Sequence, residues 1–345
     1  MSRKPRICVI GSLNVDFVTS TPRVPGPGET LTATSLKVHA GGKGANQAVA
    51  CGKAAFTSPG SQDVTVEMIG AVGADDPYYA SLLKPTLEQS GVSTAGVEEL
   101  EGVQTGTATI LVDEGSDGEN RILVVPGANA EVSDASKILD LATRNGVPEV
   151  VVMQGEIPRG TVLELLKWFN SSEYKTSVVF NPAPMFPDGI PLTALKNLAV
   201  LVVNETECRQ LFKASKELDN DKLSGNEDDP MNISELTQLT TSLHQKAHIN
   251  IVVVTLGSRG VYFSHSIETG YGEQISAAKV EKVVDTTAAG DSFVGYFATA
   301  LARHLAQADQ LQGFNVKEAA SKANWAAAKC VQRSGAMESI PFGYE

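Results

Sequence analysis

Arg6-Ile-Cys-Val-Ile-Gly11-Ser-Leu-Asn14-Val-Asp16 begins with a compact apolar run, closes it with glycine, and then presents two polar side chains. An uninterrupted apolar run of this length reads as a strand buried on both faces, as in a parallel sheet covered by helices. The same unit recurs at residues 64–70, 150–153, 177–180, 199–203 and 249–255, each ending in glycine or polar residues. Helices are predicted from the glycine loop at 41–44 to about residue 55, and over 77–90, 134–144, 159–170, 234–248, 291–305 and 317–332. This alternation specifies an open α/β sheet whose ligand crevice borders the carboxyl ends of the strands. Segments 31–39, 105–112 and 121–125 break the alternation, the last two reading as antiparallel strands joined by the polar turn 113–120. Strands outside any β-α-β unit suggest a small sheet standing off the main body, such as a lid. One face of so small a sheet has to be covered, by substrate and the domain below or by another subunit.

The 345 residues allow two average domains or one large α/β domain. A hydrophobic content of 42% with 20% charged residues suits a globular α/β enzyme rather than a disordered or fibrous chain. The formal net charge of -12 and the lack of clustered Lys/Arg argue against a nucleic-acid partner. Part of the acidity is local, in residues 217–229, which read as a solvated surface loop. Cys8, Cys51, Cys208 and Cys330 are scattered without metal-ligand spacing and are expected to be reduced and buried. The apolar run after the basic amino terminus is too short for a signal peptide, and no run reaches membrane-spanning length. A soluble, cytoplasmic protein is expected.

Asn14 and Asp16 are two positions apart, so in extended backbone both side chains point to one side and can grip hydroxyls; the same residues also make ordinary turns. Gly41-Gly-Lys-Gly44 lets the backbone approach a ligand, with Asn46 in the first turns of the following helix; a flexible surface loop is the alternative. The loop lacks the order GxxxxGK[ST], and no GxGxxG follows the first strand, which removes the main support for a P-loop ATPase or a dinucleotide enzyme. Glu156 lies at another strand end and either faces phosphate-bound magnesium or is a surface carboxylate. Glu207 occupies a dipole-compensating position in a first helical turn. Thr255-Leu-Gly-Ser-Arg-Gly260 suits a nucleotide-phosphate loop and equally a hairpin turn. In Asp285-Thr-Thr-Ala-Ala-Gly-Asp291 a glycine precedes a helix start, leaving amides free at the positive end of the helix dipole. Asp291 there is either a helix cap or a base that takes a proton from whatever attacks a phosphate. The histidines have no neighbours that suggest a triad and read as structural or surface groups.

Together Gly11-Ser-Leu-Asn14-Val-Asp16, Gly41-Gly-Lys-Gly-Ala-Asn46, Asn204-Glu-Thr-Glu207, Thr255-Leu-Gly-Ser-Arg-Gly260 and Asp285 to Asp291 resemble, in order and across nearly the whole chain, the ribokinase-like family of phosphofructokinase-B-type carbohydrate kinases. The resemblance implies a single domain over 1–345, with a doubly wound, mostly parallel central sheet flanked by helices. It also implies a β lid from about 15–40 and 103–126 that pairs across a homodimer. The implied activity is phosphorylation of the 5-hydroxyl of D-ribose by ATP with Mg2+, activated by a monovalent cation, usually K+. Asn14, Asp16, Gly42, Lys43, Asn46 and Glu156 match the family's sugar-contacting positions. Asn204, Thr255, Gly257 and Gly260 match nucleotide contacts, Asn324 falls where a residue lies against the adenine, and Glu207 matches a residue that organises magnesium and phosphate. Asp291 matches the catalytic base, with the Ala289 and Gly290 amides as the anion hole. The cation would be held by the Asp285 carboxylate, the Thr287 carbonyl, carbonyls near Cys330, Arg333 and Gly335, and the Ser339 hydroxyl. The chain departs from the pattern in longer segments at 56–63 and 219–232 and in Met337-Glu338 beside the serine. A kinase of deoxyribose, another sugar or a nucleoside, or a non-catalytic sugar-binding protein, are the rival readings.

Overall fold

A computed structural model describes residues 3–345 apart from 116–118, 172, 216, 219–222, 224–228, 269 and 309. The acidic run expected at 217–229, and the longer segment at 219–232, therefore fall largely outside the described residues.

In chain order the elements are β1 (Arg6–Ile10), β2 (Asn14–Thr21), β3 (Ser35–Gly41), α1 (Lys43–Ala55), β4 (Phe56–Ser58), β5 (Ser61–Gln62), β6 (Thr65–Gly73), α2 (Lys84–Gln89), β7 (Val92–Leu100), β8 (Gly106–Asp113) and β9 (Glu119–Val125). There follow α3 (Ala135–Thr143), β10 (Val150–Met153), α4 (Arg159–Phe169), β11 (Ser177–Phe180), β12 (Val200–Asn204), α5 (Glu205–Ala214), α6 (Ile233–Ala247), β13 (Ile251–Thr255), β14 (Val261–His265), β15 (Gly272–Ile275), α7 (Ala289–Ala308) and α8 (Val316–Cys330). The main sheet has nine strands in the order β15-β14-β13-β12-β11-β10-β1-β6-β7, parallel from β7 to β13 and antiparallel at the β14 and β15 edge. The chain leaves β1 toward β6 on one side and later returns to β10 on the other, with Ile7 opposite both Val66 and Val150. Such a reversal opens a crevice at the carboxyl end of β1.

The apolar runs are buried on both faces because one hydrophobic cluster joins them to α1, α7 and α8, and a second joins them to α3, α4, α5 and α6. The four cysteines are free and buried within these layers. His244, expected to be structural or superficial, is buried, with its ring nitrogens on the Ile249 carbonyl and the Ser264 hydroxyl.

The lid is a four-stranded sheet, β3-β2-β8-β9. Its central strand β2 begins at Asn14, so the residues read as a polar strand end are themselves a strand, registered on β3 (Asp16 opposite His39) and on β8 (Asp16 opposite Ala108). The alternating Thr and Ser of β2 mask its periodicity in the sequence. The strand expected over 31–39 starts four residues later, at Ser35. β7 and β15 were not predicted: both are edge strands with few buried side chains, which leaves little hydrophobic signal. Segment 56–63, expected as a loop, contains the short β4–β5 hairpin. The predicted helix at 77–90 is a π turn at Tyr79–Leu83 continued by α2, and α7 starts two residues before the predicted 291.

α1 and α7 cross closely, and this contact sets the distance between the glycine loop and Asp291. A Cβ added at Gly295 would lie 2.3 Å from the Ala50 Cβ and 2.7 Å from the Ala50 carbonyl carbon. Gly295→Ala is therefore expected to destabilise the fold by about 1–3 kcal/mol through overpacking, outweighing the helix propensity that alanine adds. Urea unfolding measures it, and an unchanged or higher midpoint would count against the close crossing.

Candidate active site

The site grows from the carboxyl edge of the sheet, where backbone geometry is set first. Ala288 sits in the left-handed region at φ 58, an uncommon conformation for a residue with a side chain, and it turns the chain into α7. The Ala289 amide closes this turn on the Thr286 carbonyl at 3.3 Å. The next two amides, of Gly290 and Asp291, have no acceptor among the described residues, and a Cβ at Gly290 would meet open space. The positive end of a 20-residue helix thus faces a cavity.

That cavity, about 420 Å³, is lined by every residue expected to contact the sugar, namely Asn14, Asp16, Gly42, Lys43, Asn46 and Glu156, together with Asn204, Glu207, Thr255 and residues 286–291. Ala108, Ile110, Ile122 and Val124 of the lid roof it. Gly42, at φ 87, ends the glycine loop, and its position tolerates no Cβ because one would fall 2.8 Å from the Asn14 nitrogen. At Gly41 a Cβ would lie 2.0 Å from Asp16 Oδ2 and would displace that carboxylate. Gly41 thus admits the carboxylate of Asp16 against the backbone, and Gly42 the close approach of residues 12–14.

Four carboxylates gather around the cavity. Asp291 is buried; its Oδ2 accepts from Asn46 Nδ2 at 3.0 Å and its Oδ1 from Gln47 Nε2 at 2.9 Å. Asp16 Oδ1 and Asn46 Oδ1 are buried acceptors without a partner, which leaves them available to hydroxyl donors of a ligand. Burial, followed by the charges of Glu156, Asp291 and Glu338, pushes the Asp16 carboxyl up to about 7. Burial likewise raises Glu207 above the usual carboxylate range. Glu156 accepts from the Ser12 hydroxyl and, at 2.8 Å, from the Lys43 amide, so it joins the end of β10 to the first turn of α1. The Lys43 ammonium is held above its ordinary range chiefly by Asp291, against the opposing effect of burial, with Glu156 and Glu207 contributing. A cation among these carboxylates is placed to neutralise an incoming phosphate.

Asn204 and Glu207 form a reciprocal capping box at α5, Glu207 N donating to Asn204 Oδ1 at 2.8 Å and Asn204 N to Glu207 Oε2 at 2.9 Å. The 255–260 segment is both a loop at the site and a hairpin turn, since β13 and β14 pair directly across it. Its Gly257 and Gly260 have φ 56 and 97 and sit outside the cavity lining, as does Asn324, whose amide donates to the Ser276 carbonyl at 2.8 Å.

Most of the residues expected at a cation site also come together. Asp285 Oδ1 accepts from the Thr287 amide at 2.9 Å and Oδ2 from the Gly335 amide at 3.0 Å. The Cys330 thiol donates to the Thr287 carbonyl at 3.4 Å and lies 3.0 Å from the Ser339 hydroxyl. The Arg333 amide donates to the Cys330 carbonyl at 3.0 Å, while its side chain turns away to Glu345. One carboxylate, several carbonyls and a hydroxyl fit a hard cation of low charge. Among the described residues no group of three or more His, Cys, Asp and Glu is arranged to hold a metal ion.

Four residues at the site escaped the sequence reading: Asn129, Gln47, Asn181 and Gln154. Asn129 Nδ2 donates to Asn14 Oδ1 at 2.7 Å, which turns the Asn14 amide nitrogen toward the cavity. Its available signal was weak, a single polar residue in a turn. Gln47 had a better one, an amide inside an Ala-rich helix.

The pfkB family carbohydrate kinase profile matches residues 4–342. The chain is 34% identical over 341 residues to a ribokinase of Schizosaccharomyces pombe, covering 97% of this chain and 94% of that protein. It is 35% identical over 307 residues to a ribokinase of Lactococcus lactis, covering 89% and 87%. The solved structure of Arabidopsis thaliana ribokinase complexed with ribose and ATP superposes with a TM-score of 0.76 at 28% identity, covering 99% of this chain and 97% of that one.

The elevated Asp16 carboxyl carries a stability consequence. Its folded value near 7 exceeds the ordinary 3.8, so the stability held by its proton is complete below the lower value and is lost as pH rises through the higher. Asp16→Asn cannot ionise and is expected to raise the melting temperature of the ligand-free protein more near pH 8 than near pH 5, by roughly the difference linkage dictates. A gain independent of pH, read by calorimetry at both values, would contradict the assignment.

Proposed function

The chain belongs to the pfkB family of carbohydrate kinases, and on that premise we propose that it transfers the γ-phosphoryl group of ATP to the 5-hydroxyl of D-ribose, giving ribose 5-phosphate and ADP. The observation that carries this reading is the meeting, in one cavity, of the Asp291 carboxylate and the open amides of α7 with the hydroxyl-binding groups of β2 and α1.

The sugar lies between Asn14, Asp16, Asn46 and Glu156, where unpartnered acceptors and an inward-turned amide match the donors and acceptors of a small polyol. Asp291 takes the proton of the 5-hydroxyl as that oxygen attacks the γ-phosphorus, and the bond to the β-phosphate oxygen breaks. The Gly290 amide and the helix dipole stabilise charge developing on the transferring group. Lys43 adds a positive charge beside it, and the 255–260 loop with Asn204 supports the nucleotide. Mg2+ bound to the phosphates, organised through Glu207, would neutralise their charge. A monovalent cation, K+ in the first instance, would lie among Asp285, Thr287, Cys330, Arg333, Gly335 and Ser339 and order the loop that presents the Gly290 amide, the Ala289 amide expected beside it being taken up by the Thr286 carbonyl.

A homodimer through the lid completes the reading. Leu36, Leu123 and Val125 are 63%, 68% and 59% exposed on a sheet whose other side roofs the cavity, an apolar surface suited to a second copy. No helix among the described residues is long and apolar enough to cross a membrane, and use of ATP and ribose suits the cytoplasm. The polar floor of the cavity favours ribose over a nucleoside, whose base calls for a wider apolar pocket.

ADP release measured over a panel of sugars and nucleosides, with and without K+, is expected to show turnover with ribose and activation by the cation; turnover with a nucleoside and none with ribose would overturn the substrate. Asp291→Asn is expected to retain ribose and ATP binding by calorimetry while kcat falls roughly 10²-fold to 10⁴-fold, the usual contribution of a general base. Near-normal turnover in that variant would remove Asp291 from the role.

A further inference from the structure

The geometry points to Gln47 as the positioning residue that fixes the Asp291 carboxylate to the end of the parallel sheet. Gln47 is fully buried on α1, one residue beyond Asn46, in a helix otherwise packed with alanine and other small side chains. A buried primary amide is costly unless each polar atom is satisfied, and here each one is. Nε2 donates to Asp291 Oδ1 at 2.9 Å and to Asn181 Oδ1 at 3.0 Å. Oε1 accepts from Gln154 Nε2 at 2.8 Å.

The three partners leave the amide only one orientation. Asn181 directs its oxygen to Gln47 because its own nitrogen donates to the Val202 carbonyl at 2.9 Å. A flipped Gln47 amide would set its oxygen against that oxygen and against the Asp291 carboxylate. Asn181 lies just past β11, Gln154 just past β10, and Val202 in the middle of β12, so the chain of amides ties two strand ends and the adjacent strand to α1 and through it to α7. Gly11 makes room for this chain: a Cβ there would fall 2.0 Å from Gln154 Oε1. Asn46 holds the other oxygen of Asp291 but also borders the cavity, where a ligand can pull on it. Gln47 holds its oxygen from the side closed to ligand, and so determines the direction in which the carboxylate meets the attacking hydroxyl.

This inference rests on Asp291 being the base, and the experiment separates the two. Gln47→Met removes the amide at similar length, with Gln47→Leu as the second variant if the first does not fold. Because misplacing a reacting group by about 1 Å can lower a rate about 10²-fold, kcat of the folded enzyme is expected to fall about 10-fold to 100-fold while KM for ribose and ATP stays within about threefold. In an Asp291→Asn background the same substitution is expected to add no further loss, since its effect passes through that carboxylate. Wild-type kcat in a variant whose melting temperature alone is lowered, a loss confined to KM, or losses that multiply in the double variant would each overturn the positioning role while leaving Asp291 as the base. Near-normal kcat in Asp291→Asn alone would overturn the base, and the positioning role with it.

Discussion

Four carboxylates share the rim of one cavity, and the surrounding structure is arranged to hold them there. Asp16, Glu156, Glu207 and Asp291 repel one another, and burial adds several kcal/mol per uncompensated ion. The compensation is largely backbone and amide in character. Asp291 lies at the positive end of α7 and accepts two side-chain amides. Glu156 accepts the Lys43 amide at the start of α1, and Glu207 caps α5. Asp16 is the exception: one of its oxygens has no partner, and its carboxyl holds a proton toward neutral pH. The group left unsatisfied is the one that faces the proposed sugar.

This economy explains why the helices meet as they do. α1 and α7 must approach closely for Asn46 and Gln47 to reach Asp291, and Gly295 makes the approach possible. The sheet then acts as the fixed reference, because Gln154 and Asn181 at two strand ends and Val202 within β12 belong to the same network. The lid is built on different terms. Its cavity face is apolar, and its other face is packed on the body of the domain only around Val15, Phe17 and Val38, leaving Leu36, Leu123 and Val125 exposed.

Much of this was legible in the chain. The α/β class followed from repeated apolar runs ending in glycine or polar residues, whereas the assignment of Asn14, Asp16 and Asn46 to a sugar came from the resemblance of their motifs to the family. Local patterns carry such information because a strand buried on both faces and a glycine beside a ligand each impose a residue type on a short stretch. The reading lost accuracy where the pattern weakens: in the Thr- and Ser-rich β2, in the exposed edge strands β7 and β15, and in the start of α7, which Ala288 fixes by a backbone angle no alanine advertises.

The sequence by itself determined the alternation of strands and helices, the glycine loop that opens α1, and the Asp285 to Asp291 segment that opens α7, since each depends on neighbours within a few residues. Only the tertiary structure decided that Asp291 is gripped by Asn46 and Gln47, 245 and 244 positions away, and that Asn129 turns Asn14 toward the cavity from 115 positions away. It also decided that the Ala289 amide is spent on its own turn while that of Gly290 stays open. The physical reason is that a side-chain amide has no preferred partner in the unfolded chain. Its orientation is set when folding brings a donor to its oxygen and an acceptor, such as a carboxylate, to its nitrogen.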